Sequence, residues 1–282
     1  MLFLRTWAVT VGTLRVSAPM RAAFEIDRST KHAVNTARVR LWNLTRSHQT
    51  QIEQAAAAQV LVEAGYAGER GPQALFSGEL FRARGLGRTG AHTQDAGEDS
   101  VTHVEARDGG RAYAQARISA AFGAGVRVET VVRACARALG VGEGNLVEVS
   151  AAARLATGDD TYPEGTVISG QVSRELTRVL RGMGLGWSIQ HNALQILRNG
   201  FPLSTQAVRL AVDTGLVGEP EIGTRGHVKA TSLLGPDLWP GRVVVLSSRR
   251  ANGAYTVEAV KFRGDSHAQE WFADLDLVPE AA

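Results

Sequence analysis

The 282-residue chain holds one cysteine, Cys135, 8 prolines, and only three lysines (Lys31, Lys229, Lys261) among 31 basic residues. A single thiol excludes an intramolecular disulfide, a cysteine-based zinc site and a cysteine-bound iron–sulfur cluster, and fits a reducing compartment. Scarce proline beside 31 glycines makes the chain turn-rich without a low-complexity linker. No run approaches the roughly 18–20 apolar residues of a membrane span. The N-terminal MLFLRTWAVTVGTLRVSA lacks a basic start and is interrupted by Arg5 and Arg15, so it reads as a strand or hairpin instead of a signal peptide. A soluble protein is expected. A net charge of +3 carried almost wholly by arginine gives no concentrated basic patch. Arginine instead favours planar, bidentate contacts with carboxylates or phosphates, as at subunit interfaces.

Also missing is a convergent catalytic set. Gly85–Gly90 matches G-x-G-x-x-G by letter, but AHTQDAGEDS supplies no helix to aim amides at a pyrophosphate. Gly264-Asp265-Ser266-His267 is a turn, since triads assemble from separated positions. The seven histidines form no H-x-x-x-H pair. Asp159-Asp160 lacks the repeated oxygen ligands of a calcium loop, and the sequon Asn43-Leu44-Thr45 carries no weight without a secretory signal. Cys135 shares a helical face with Val128, Val131 and Val132 and reads as core. No catalytic residue, cofactor or metal is assigned, and no enzyme is expected.

What is present is period. Ala37, Val39 and Leu41 alternate with Arg38, Arg40 and Trp42, as in a strand buried on one face. Thr45 suits a helix N-cap, with Thr50 and Glu53 a competing start. Val60, Val62 and Ala64 restore the alternation up to Gly65. Strand-like runs follow at 75–84 and 100–108, with the polar, Gly-rich segment 85–100 between them as a long loop. Residues 2–11 and 13–27 form two strands around Gly12. Helical spacing takes over at 128–139, stopped by Gly140, and again at Val172, Leu176, Val179, Leu180 and Met183. Gly158–Gly165 is a loop. GWSIQ-HN-ALQIL fits a hairpin that sets Ile189 opposite Leu194, Trp187 opposite Ile196 and Ser188 opposite Gln195. Strands return at 206–212, 227–232, 242–247, 254–263 and 270–277. These match the first unit in order: 227–234 against 37–44, 242–247 against 59–65, 254–263 against 75–84, and 270–277 against 100–108, with Pro236–Gly241 where the first unit has its helix. Trp187 and Trp271 read as core, Trp42 and Trp239 as candidates for a partner surface.

The fold expected is α+β: two antiparallel β-barrel or sandwich domains, residues 1–112 and 201–282, flanking a small helix-and-hairpin domain, 113–200. An ordered set of motifs carries a resemblance: N-T-A-x-V-x-L-W-N-L-T from Asn35, A-G-Y, L-F-S-G-E, D-G-G-R-A-Y, G-W-S-I-Q, D-T-G-L-V-G-E-P, L-L-G-P-D-L-W-P-G and G-D-S. Together these resemble the tail-tube-like baseplate hub proteins of contractile-tailed phages and pyocin-type particles. The resemblance implies a structural homotrimer whose six tube-like domains adapt a hexameric tail tube to a trimeric central spike. It also implies a virion baseplate location after assembly in the host cytoplasm, with tape measure and baseplate wedge proteins as further partners. DNA would only pass through the channel at genome ejection, and no membrane would be involved. Spike and hydrolase domains are expected on separate chains, because this one stops soon after Leu277. Arg38, Arg40, Trp42, Arg88 and Trp239 are the expected interface residues, with loop 85–100 against the adjoining tube ring. The alternative is a nucleic-acid-binding or cell-wall-active module of a phage tail.

Overall fold

The computed structural model describes residues 4–31, 34–68, 70–81, 91–96, 99–190, 192–198 and 202–280. The first third supplies β1 (Arg5–Val11), β2 (Leu14–Ser17), β3 (Ala22–Ser29), β4 (Thr36–Trp42), α1 (Arg46–Gln54), β5 (Gln59–Tyr66), β6 (Gly71–Leu80), β7 (Ala91–Ala96) and β8 (Asp99–Arg107). In β4 the expected alternation is realised, with Ala37, Val39 and Leu41 buried and Arg38 and Arg40 exposed. Thr45 caps α1, its hydroxyl accepting from the His48 amide at 3.4 Å, so the start at Thr50 is unused. β5 runs one residue past Gly65 to Tyr66. Much of the segment expected as a long loop is paired structure: β7 and β8 form a hairpin from Ala91↔Val104 to Ala96↔Asp99. Arg88 and the Gly85–Gly90 match lie outside the described residues.

The middle third contains α2 (Gly110–Gln115), β9 (Arg117–Phe122), β10 (Val126–Arg127), α3 (Val128–Leu139), β11 (Gly142–Glu143), α4 (Val147–Thr157), β12 (Thr161–Tyr162), β13 (Thr166–Gln171), α5 (Val172–Arg181), β14 (Leu185–Gln190) and β15 (Ala193–Arg198). α3 spans the expected residues and ends on Gly140 at φ 71°, a left-handed cap that glycine adopts without steric cost. The β14–β15 hairpin has the expected register, including Trp187↔Ile196 and Ile189↔Leu194. Cys135 is fully buried among Val131, Val132 and Leu176. That burial pushes its thiol up to about 11, as suits a packing residue.

The last third adds β16 (Ser204–Ala211), β17 (Leu216–Ile222), β18 (Val228–Leu233), β19 (Arg242–Ser247), β20 (Asn252–Asp265) and β21 (Trp271–Pro279). Its strand order repeats that of the first third. β4 lies between β3 and β8, as β18 lies between β17 and β21. β8 then pairs β6, which pairs β5, just as β21 pairs β20, which pairs β19. Even the strand-end bonds recur. Trp42 donates to the Arg21 carbonyl and Asn43 to that of Ser100, while Leu233 donates to Gly215 and Leu234 to Trp271. The alignment slides by one residue from that read in the sequence: Val228, not His227, stands at the place of Ala37. Both are buried, and a one-residue slip would turn each strand inside out. One pairing differs, since β1 runs antiparallel to β5 and β16 runs parallel to β19.

The two β-units are joined. β20 pairs antiparallel with β3 from Ala259↔Ser29 to Asp265↔Ala23, making one continuous 14-stranded sheet. One hydrophobic cluster runs through both units, from Trp7 and Val9 to Leu275 and Leu277. A second, built on α3, α4, α5 and the β14–β15 hairpin, belongs to the middle third.

Candidate functional site

Eight strands lie side by side in the order β17, β18, β21, β20, β3, β4, β8, β7. Directly opposed residues share a face, so the sheet has an apolar side (Ile26, Val39, Val104, Phe262, Leu275) and a polar side. On the polar side charges meet across the β20–β3 junction. Glu25 sits 2.8 Å from Lys261 and 3.3 Å from Arg38, and Arg263 reaches Asp274 at 2.8 Å. The Lys261 bond, with the fields of Arg38 and Arg263 behind it, holds the Glu25 carboxyl below its usual range. His92 and His103 stack at 4.8 Å toward the other end. Burial, with the charges of His92 and Arg40, pushes the His103 pKa down. A hollow of about 530 Å³ lies against the polar side over β17, β18, β21, β20 and β3, lined by Asp27, Lys229, Thr231, Lys261, Asp274 and Asp276 among others.

A buried polar cluster fixes the middle third to this sheet. Arg28, 4% exposed, donates to the Leu75 carbonyl at 3.0 Å and to Gln190 Oε1 at 2.9 Å. Burial lowers its pKa to about 10, against the opposing field of Asp108. The Asn35 amide donates to Asp108, to Gln190 and to the Ile189 carbonyl, and Gln190 Nε2 returns a bond to the Ser29 carbonyl at 2.8 Å. Asp108 Oδ1 accepts from the Asn192 amide at 3.2 Å. Four polar side chains from β3, the chain before β4, the end of β8 and β14 thus satisfy one another where water is excluded.

Of the expected interface residues, Arg38, Arg40 and Trp42 lie along one strand and Trp239 lies apart from them. Arg38 and Arg40 lie on β4, an interior strand flanked by β3 and β8. Trp42 is half-buried at the end of that strand, with the guanidiniums of Arg21 and Arg40 at 4.3 and 5.4 Å from its ring. Trp239 is far off in chain and topology, half-buried between β18 and β19 beneath Arg242. Arg88 is outside the described residues. What sequence reasoning missed are two strand edges, β7 and β17, each with a single strand partner among the described residues. Val217, inside a motif already singled out, and Ile222 just beyond it were the available signal, apolar side chains that stay exposed on β17. Among the described residues no three metal-ligating side chains cluster, and no helix is long and apolar enough to cross a membrane.

No family model and no curated protein matches the chain in sequence. Its structure is similar to solved ones. The prophage MuSo2 43 kDa tail protein from Shewanella oneidensis aligns over 97% of this chain and 96% of its own, with a TM-score of 0.66 at 9% identity. A tail protein from Neisseria meningitidis MC58 covers 98% and 96%, with a TM-score of 0.64 at 11% identity. The E. coli c3393 protein is a component of the type VI secretion system with structural similarity to the T4 bacteriophage tail proteins gp27 and gp5. It covers 97% of this chain and 77% of its own, with a TM-score of 0.55 at 10% identity. Over nearly its whole length, this chain has the fold of phage tail proteins.

Proposed function

We propose that the chain is a structural baseplate hub subunit, three copies of which form a pseudo-sixfold ring between a hexameric tail tube and a trimeric spike. The observation that carries this is the repeated strand order: one chain holds two β-units that share it, the direction of β16 against β19 aside, so three chains present six. The polar face of the eight-strand sheet would then line the channel. At about 4.8 Å per strand, three such sheets close a wall roughly 37 Å across between backbones. Arg38 and Arg40 would face that channel and not a neighbouring subunit. The charges support a wall better than a nucleic-acid clamp, because Arg38 and Lys261 share the Glu25 carboxylate and Arg263 pairs with Asp274. A clamp would show a one-signed patch. A static wall also needs no catalytic group. In the virion such a ring would sit in the tail baseplate, and kinship in fold with a secretion-system component likened to T4 tail proteins supports a spike as partner. The test is mass photometry of the purified chain, alone and mixed with its tube and spike proteins, followed by class averages of the particles. Ring-shaped trimers that bind both partners are expected. A chain that stays monomeric with both partners present would refute the reading.

A further inference from the structure

α5 carries a basic face in the middle third. Ser173, Thr177 and Arg181 follow one another at four-residue spacing with Arg174 and Arg178 beside them, so all five share one side of the helix. A hollow of about 500 Å³ lies against that side, lined by these residues and by Tyr113 of α2. Its walls are fixed from below. Tyr113 stacks on buried Trp187 at 5.5 Å, Trp187 Nε1 donates to Thr177 Oγ1 at 2.9 Å, and Thr177 donates to the Ser173 carbonyl at 2.8 Å. Two kinds of donor are left over. Arg133, Arg137 and Arg154 of the neighbouring helices each pair with a carboxylate, and Arg178 pairs with Glu175 at 2.8 Å. Exposed Arg174 and Arg181 have no carboxylate partner among the described residues. Ser173 is the independent observation. It is only 5% exposed, yet its hydroxyl has no hydrogen-bond partner among the described residues, and the same holds for the Tyr113 phenol. Buried hydroxyls are ordinarily satisfied, and here the missing acceptor has to come from the hollow.

We propose that this hollow is a binding site for an acidic segment of a partner protein. One carboxylate of the segment enters the hollow and accepts from the Ser173 and Tyr113 hydroxyls, and its neighbours lie in the guanidinium forks of Arg174 and Arg181. Seven residues of helix set those two arginines about 10 Å apart along the axis, too far to share one small anion. An extended chain rising about 3.3 Å per residue spans that gap with carboxylates roughly three residues apart. A nucleic acid fits less well. Glu175 stands within the row, 2.8 Å from Arg178, and would repel an unbroken line of phosphates, whereas a nucleic-acid surface is one-signed. The site lies on the middle third and not on the eight-strand sheet, so it goes beyond the ring reading and does not depend on it.

The test is fluorescence anisotropy of the full chain with a labelled hexaglutamate peptide, beside hexaglutamine and a labelled single-stranded oligonucleotide. Hexaglutamate should bind, more weakly as salt is added, and hexaglutamine should not. Arg174→Glu with Arg181→Glu changes exposed positions, so the fold should persist while hexaglutamate binding weakens about tenfold or more. The same change of charge at the exposed turn between β19 and β20, Arg249→Glu with Arg250→Glu, should alter binding by less than about twofold. Ser173→Ala separates a built site from a merely charged surface. It removes a hydroxyl that has no protein partner, so the melting temperature should hold or rise, while hexaglutamate binding falls about three- to tenfold. Absence of hexaglutamate binding overturns the proposal. So does an equal loss in the Arg249/Arg250 variant, or unchanged binding in Ser173→Ala. An oligonucleotide that binds more tightly than hexaglutamate and is released by Arg174→Glu with Arg181→Glu overturns the choice of partner.

Discussion

Arg28→Met should uncouple the middle third from the sheet. The guanidinium is 4% exposed and donates to Leu75 O and Gln190 Oε1 at 3.0 and 2.9 Å, within the field of Asp108. The fall of its pKa from 12.5 to about 10 corresponds to roughly 3 kcal/mol against the buried charged form. That figure is what remains after the Asp108 field has opposed the burial, and the hydrogen bonds to Leu75 and Gln190 offset it. Methionine has comparable length and removes the penalty, but it leaves the Leu75 carbonyl without this donor and the Asp108 carboxylate without this cation. Removing one partner of such a buried set costs about 3–5 kcal/mol, and at about 2–4 °C per kcal/mol for chains of this size the melting temperature should fall by about 6–20 °C. Hydrogen exchange should localise the loss to the amides of Gln190 and Asn192, at the seam between the two hydrophobic clusters. The double variant Arg28→Met/Asp108→Asn should cost less than the sum of the singles by about 1 kcal/mol or more, because it removes both charges. A single-variant loss below about 1 kcal/mol, or strict additivity, would refute the idea that this cluster couples the two parts.

Gly109 has φ 66° and an added Cβ would lie 2.5 Å from Ile189 Cδ1, so Gly109→Ala should lower stability by about 1–3 kcal/mol in urea unfolding. Asn145 completes the edge of β15, donating to the Ile196 carbonyl at 2.9 Å and accepting from the Ile196 amide at 2.7 Å. Asn145→Ala should cost about 1–2 kcal/mol, with exchange of the Ile196 amide accelerated. Glu25 has its folded pKa held below the ordinary 4.5, so its contribution is full above that value and disappears as pH falls through the folded pKa. The stability gap between wild type and Glu25→Gln should therefore narrow in acid denaturation below about pH 4.5, and a gap independent of pH would count against the junction pairing.

Where one local period governed an element, the sequence disclosed it. β4, α3 and the Trp187–Ile196 hairpin each carry an alternation or helical stripe strong enough to set their residues and faces. α4 escaped because its buried face is Val149, Ala152 and Ala153, and alanine gives little contrast with its surroundings. β17 escaped because its pairing with β18 shifts between Val217 and Glu221, spoiling the alternation around Gly218 and Pro220. β7 escaped because AHTQDA has no apolar stripe. The polar cluster was hidden for another reason, as Arg28, Asn35, Asp108 and Gln190 meet only through long-range topology. The one local hint was Arg28 itself, two residues on from Ile26 and four from Phe24 in a strand, where a core residue would be expected. The β20–β3 pairing spans more than two hundred residues of chain and has no local signature at all.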